Sequence, residues 1–205
     1  MFSSIVEYFN AHTAAAIIQC CAIPSYIICF WFKKQWFLSL NIFTSALFAV
    51  GYILMSAWVG LCFAVLSASI CILVYFLDKR ENITGKNLIS KRCIGLTVAL
   101  VISLIVNIVF DKSFFSIVLT IGAGLNYYNY FFMKGNTVQV KIIFIASHFL
   151  IVIYEFHVLL YLFAIMDSIA ALSIIGSLVF LCYKNHKTKN ALNCIKLDCT
   201  ETNFL

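Results

Sequence analysis

The chain has 205 residues, 63% of them hydrophobic and 11% charged, with a mean hydropathy of +1.02. A water-soluble domain of this length needs far more polar surface to cover its core, so the composition points to an integral membrane protein. The net charge of +6 does not indicate nucleic acid, because the basic residues sit at the ends of apolar runs. One Pro and eight Gly suit long continuous helices, and no ten-residue alternation of the barrel kind occurs.

Met1–Thr13 lacks a basic segment and carries Glu7, which makes a poor signal peptide, so the run after it reads as a retained first helix. Seven apolar runs follow: His12–Phe32, Trp36–Met55, Trp58–Leu77, Cys93–Phe110, Ser113–Met133, Val138–Tyr154 and Val158–Tyr183. Most are long enough to cross a hydrocarbon core of about 30 Å. The turn Ser56–Ala57 is very short, and Asp78–Arg92 is the longest polar connector. Lys184–Leu205 reads as a polar, mobile cytosolic tail.

If loops alternate sides, 13 of the 14 Lys and Arg fall on one side, from Lys33 and Lys34 to Lys196, and only Lys112 on the other. Positive charge collects in cytoplasmic loops, which predicts an outside N-terminus and a cytoplasmic C-terminus. The nine cysteines lie within spans or in the tail, and they suggest neither a disulfide framework nor a metal site.

Spans one to three and five to seven share length and loop pattern. A shift of 101 residues sets Tyr26 on Tyr127, Phe30 on Phe131, Lys33 on Lys134 and Ser67 on Ser168, and a shift of 102 sets Ser45 on Ser147 and Tyr52 on Tyr154. Both triplets begin on the same side. The predicted fold is therefore all-α: a seven-span membrane bundle in one domain, residues 1–183, followed by the tail. It comprises a first repeat over 12–77, a linker helix over 93–110 and a parallel second repeat over 113–183.

One carboxylate, Asp167, stands about ten residues into the last run, roughly 15 Å deep at the helical rise. A charge at that depth is costly and should face a bundle interior or a water-filled path, which makes Asp167 with Ser168 the leading site candidates. His148, mid-run, is either a packed neutral histidine or a partner to Asp167 in a proton relay. Asn126 and Asn129 share a helix face and can either line a cavity or bond across helices. Gln19 and Asn107 lie nearer the outer surface, where packing or headgroups would satisfy them. Glu155 and His157 read as a solvated corner, with an extracellular substrate funnel as the lesser alternative. Trp31, Trp36, Phe32, Tyr154, Tyr161 and Tyr183 form an aromatic belt at span ends. Pro24, and Gly122 with Gly124 at matching depth, read either as gating hinges or as a static kink and close-packing positions.

The three-one-three plan, the short first turn and the Pro24–Ser25 pair resemble the SWEET/PQ-loop superfamily of small-solute transporters. Within it, Gln19, the Phe30–Trp36 segment, Phe48–Gly51–Tyr52, Gly60 and the acid Asp167 are most similar to YgjV-type bacterial inner-membrane proteins. This resemblance, over roughly Ile17–Tyr183, implies a multi-pass protein of the cell inner membrane. It also implies a carrier moving a small polar solute by alternating access between two repeats. Ser67 and Ser69 stand in helix three, and Ser67 joins Asp167, Ser168, Asn126, Asn129 and His148 as a candidate solute ligand. The expected partners are the bilayer and the solute, with no nucleic acid, and a homodimer is open. No phosphate loop, metal motif or nucleophile elbow occurs, so neither a cofactor nor an enzyme is expected. The alternative is a non-transporting scaffold or receptor that binds a partner in or at the bilayer.

Overall fold

A computed structural model of the chain describes residues 13–85, 87–133 and 137–201, with side chains through 185. Glu7, Lys86, Lys134 and Gly135, which entered the sequence reading, lie outside the described residues. Seven helices occur among the described ones: α1 (Thr13–Cys29), α2 (Lys34–Leu54), α3 (Trp58–Thr84), α4 (Ile89–Phe110), α5 (Phe114–Phe132), α6 (Val138–His157) and α7 (Tyr161–Glu201). Of these, α2, α3, α4, α6 and α7 as far as Asn185 are long and apolar enough to cross a membrane. The chain is a polytopic helical membrane protein. Helix α1 is shorter, at 17 residues. In α5 the apolar character is diluted by Asn126, Asn129 and three tyrosines, yet ten of its 19 residues are buried, so most of these polar groups face other helices.

Helix ends differ from the apolar runs for local reasons. Helix α3 runs past Leu77 through Asp78–Thr84 and stops at Gly85, whose left-handed backbone (φ +63°) closes it. Helix α4 begins early because the Glu81 carboxylate accepts from the Leu88 N–H and the Asn87 side chain from the Ile89 N–H. Ser113 and Thr137 cap α5 and α6 by accepting from the Ser116 and Val140 amides. Helix α7 does not end with its apolar part, since neither Gly nor Pro interrupts 184–201.

The helices pack as a ring in chain order. Helix α2 lies between α1 and α3, and α6 between α5 and α7; α1 meets α7, α3 meets α5, and α4 touches only α3 and α5 among the main contacts. The buried stripe of α4 is Arg92, Ala99, Ser103 and Asn107, while Ile94, Val98, Val101, Ile105, Ile108 and Val109 face outward. Such small and polar residues inward with aliphatics outward suit a lipid solvent. At the α1–α7 seam, Ser173 and Ser177 donate to the carbonyls of Ile27 and Phe30.

The turns after α2 and α6 have the same geometry. Ala57 N–H donates to Tyr52 O at 2.9 Å, and Leu160 N–H to Glu155 O at 2.8 Å. Between them, Ser56 (φ +54°) and Leu159 (φ +61°) take the left-handed conformation that glycine usually fills. Tyr52 and Glu155 are thus equivalent in the backbone, so the offset of 102 read from side chains grows by one residue here.

Gly60 is required by packing. A Cβ there would lie 2.7 Å from Tyr52 Cζ, and the opposite face of that ring stacks on Phe163 at 3.8 Å and 6°. With Phe163 behind it, the ring has no room to retreat. Gly60→Ala is expected to destabilise the protein by about 1–3 kcal/mol. In detergent melting experiments the pair Gly60→Ala with Tyr52→Ala should lose less than the sum of the single losses.

Candidate functional site

A cavity of about 90 Å³ lies inside the ring and is walled by six helices. Its polar groups include Tyr26 from α1, Asn41, Thr44 and Ser45 from α2, Ser67 from α3, and Asn126 and Tyr130 from α5. Glu155 comes from α6 and Asp167 from α7, while α4 contributes nothing. One water needs about 10–15 Å³ measured this way, so there is room for a few waters or a small solute.

The deepest polar contacts centre on Tyr26, two residues beyond Pro24. Its hydroxyl donates to Asp167 Oδ1 at 2.6 Å and lies 2.8 Å from His148 Nε2, which is itself 3.8 Å from Asp167. His148 Nδ1 donates to the Phe144 carbonyl at 2.7 Å. Because that carbonyl can only accept, Nδ1 carries a hydrogen. The tyrosine has one hydrogen for two neighbours, so a further proton must sit in the chain His148–Tyr26–Asp167. It is held either as imidazolium facing carboxylate or as neutral imidazole facing carboxylic acid. Both arrangements leave the three groups neutral together.

Glu155 adjoins that chain through Asp167. It is 2% exposed and interacts directly with Asp167. Tyr52 donates to its Oε1 over a long 3.4 Å, and Oε2 has no hydrogen-bond partner among the described residues. Among the described residues no Lys or Arg lines the cavity. A sequence reading treats an acid at a span end as a solvated boundary charge. The inward turn at Leu159 instead carries Glu155 to the cavity wall beside an acid twelve residues later. Its neighbour His157 stacks on Phe115 at 3.8 Å.

Two aromatic layers flank the cavity. Toward the end bearing Lys34 and Arg92 (the basic end), Phe30 just past α1 and Phe37, Tyr130 and Phe144 of α2, α5 and α6 meet with ring centres 5.3–6.0 Å apart. Beyond them, an open groove of about 800 Å³ is lined by Lys34, Asp78, Glu81 and Arg92. Toward the opposite end, Phe163 stacks on Tyr52 and meets Phe48 edge-on. A second recess of about 390 Å³ there shares Gly60, Tyr154 and Leu160 with the cavity wall.

The structure separates the residues that sequence reading grouped. Asp167, Asn126 and Ser67 line the cavity, and His148 reaches it through Tyr26. Ser168 does not line it; its hydroxyl donates to Ala164 O at 2.7 Å, a bond back to its own helix. Asn129 is also absent from the wall, because its amide donates to Val140 O at 3.0 Å and ties α5 to α6. Gly122 packs against α6, where Ser147 donates to its carbonyl at 2.6 Å, and a Cβ on Gly124 would lie 2.9 Å from Leu100. These two glycines allow close packing. Asp167 lies six residues into α7, since Val158–Leu160 form the turn, so it is nearer the end of the bundle than the apolar run implied.

Two more residues sit deeper than expected. Gln19 is fully buried, with neither amide atom hydrogen-bonded among the described residues, in space that a side chain on Gly51 would fill. Tyr154 turns inward at 4% exposure, whereas Trp31, Trp36, Phe32 and Tyr183 are exposed. Asn107 is packed as expected, bonded to Ser116 O and Thr120 of α5. Tyr26, Tyr52 and Glu155 are the site residues a linear reading misses, because only their partners on distant helices mark them. No family model, curated protein or solved structure matches this chain.

Proposed function

We propose that the protein is a carrier that moves a small polar solute across a cell membrane by alternating access between two parallel three-helix repeats joined by α4. The observation that carries this reading is the central cavity. Six helices wall it, the same six that make up the two repeats, and the remaining helix stands aside. The matched turns after α2 and α6, and the placing of α2 and α6 between their neighbours, support the duplication.

The basic end, with Lys34, Arg92 and Lys141, would face the cytoplasm and the N-terminus the outside. The two aromatic layers would be gates, and the cavity the occluded solute site. This arrangement suits the resemblance to SWEET/PQ-loop transporters. Asp167 with its shared proton would hold the solute or a coupling proton, helped by Asn126 and Ser67.

The test is to screen sugars, vitamins, nucleosides and amino acids for thermal stabilisation of the purified protein. Each hit is then followed as a tracer in reconstituted vesicles. A carrier moves at least one stabilising compound across the bilayer. A compound that stabilises yet never crosses would make the protein a receptor or scaffold.

A further inference from the structure

We propose that the solute is a small organic cation with N–H donors, an ammonium compound of a few heavy atoms, and that Glu155 recognises its charge. This rests on the carrier reading above. The one proton of the His148–Tyr26–Asp167 chain offsets a single acid, and Glu155, which contacts Asp167, is the second acid of the wall. Its Oε2 is unpartnered, and so is the side-chain oxygen of Asn126, in a residue 9% exposed on the same wall. The Asn126 oxygen can only accept, and Glu155 accepts as a carboxylate, so a donor suits both.

A buried carboxylate without a cation is costly, and among the described residues no Lys or Arg of the wall supplies one, so a bound cation takes the place of a proton on Glu155. The remaining wall favours an organic cation over a bare metal ion. Tyr26, Phe48, Tyr52, Phe63, Tyr130 and Tyr154 line the space, and the face of an aromatic ring attracts an ammonium group. A hard metal ion would instead require a nearly complete shell of oxygens. The cavity of about 90 Å³ sets the size at a few heavy atoms.

Ethanolamine, protonated at neutral pH, can be compared with 1,2-ethanediol and glycolate, which match it in size but are neutral and anionic. The wild-type protein should be stabilised by ethanolamine hydrochloride and by neither of the other two, nor by sodium or potassium chloride at equal ionic strength. Labelled ethanolamine should enter reconstituted vesicles. Glu155→Gln should weaken ethanolamine binding about tenfold or more, as expected for losing a charge-assisted hydrogen bond. If that variant does not purify, the comparison of probes on the wild type carries the test. Equal or better stabilisation by the diol, glycolate or a metal chloride overturns the proposal. Failure of ethanolamine to stabilise, or unchanged binding by Glu155→Gln, does so too. If the wider screen still yields a transported solute, the carrier reading survives and only the charge class falls.

Discussion

Asp167→Asn is expected to reduce solute movement about a hundredfold or more while the protein still reaches the membrane. The amide matches the carboxyl in shape, so the six-helix wall should persist. It cannot hold the proton that His148, Tyr26 and Asp167 share, and it offers Tyr26 an N–H donor or a weaker acceptor in place of the 2.6 Å bond. Losing a charge-assisted hydrogen bond in a buried site costs about 1.5–3 kcal/mol, or about 10- to 150-fold in binding alone, before any loss of proton handling. Tracer flux per reconstituted molecule measures this. Asp167→Ala should abolish flux as well, but it leaves Tyr26 and His148 with an empty site and should also lower the melting temperature. Wild-type flux by Asp167→Asn would remove Asp167 from the mechanism.

Arg92→Met should be the most damaging change to the fold. Arg92 sits at the first turn of α4 with its side chain 8% exposed. It bonds Asp78 at 2.5 Å and Glu81 at 2.6 Å, both on α3, and donates to the Phe131 carbonyl near the end of α5 at 2.6 Å. It therefore ties the linker helix to both halves of the ring, and Lys34 on α2 joins through Asp78 at 3.0 Å. Methionine keeps the stem and removes every donor, leaving two carboxylates and a carbonyl poorly paired. Removing one partner from such a network costs about 3–5 kcal/mol when the groups are buried; the partial exposure of Asp78 and Glu81 places this case at the lower end. Melting in detergent should show the loss. Asp78→Asn with Arg92→Met should be less harmful than the two losses added together. A melting temperature within a degree or so of wild type would mean that the cluster is a solvated surface group.

The sequence made the helices legible because hydrophobic length is the main constraint a bilayer imposes. Each apolar run became a helix, with ends shifted where polar residues continue a helix into the headgroup region, as in α3 beyond Leu77. Asp167 was legible for the same reason: a lone acid in a hydrocarbon run has few places to go. Glu155 was not, since an acid just before the turn Val158–Leu160 looks the same in sequence whether it faces water or the cavity. Tyr26 and Tyr52 were hidden among ten tyrosines, because a hydroxyl's role depends on which distant helix it meets. Asn126 and Asn129 show the limit most directly. Three residues apart on one helix, they diverge in use, one open to the cavity and one bonded across to α6.

The central claim is that the cavity is reached from either side of the membrane in turn. Ser67, on α3, can be replaced by cysteine in a background whose accessible cysteines are removed, and labelled with a membrane-impermeant thiol reagent. Labelling is done in right-side-out and in inverted vesicles. The predicted result is labelling from both sides, slowed from both by a bound solute. Labelling confined to one side, or absent from both, would contradict alternating access.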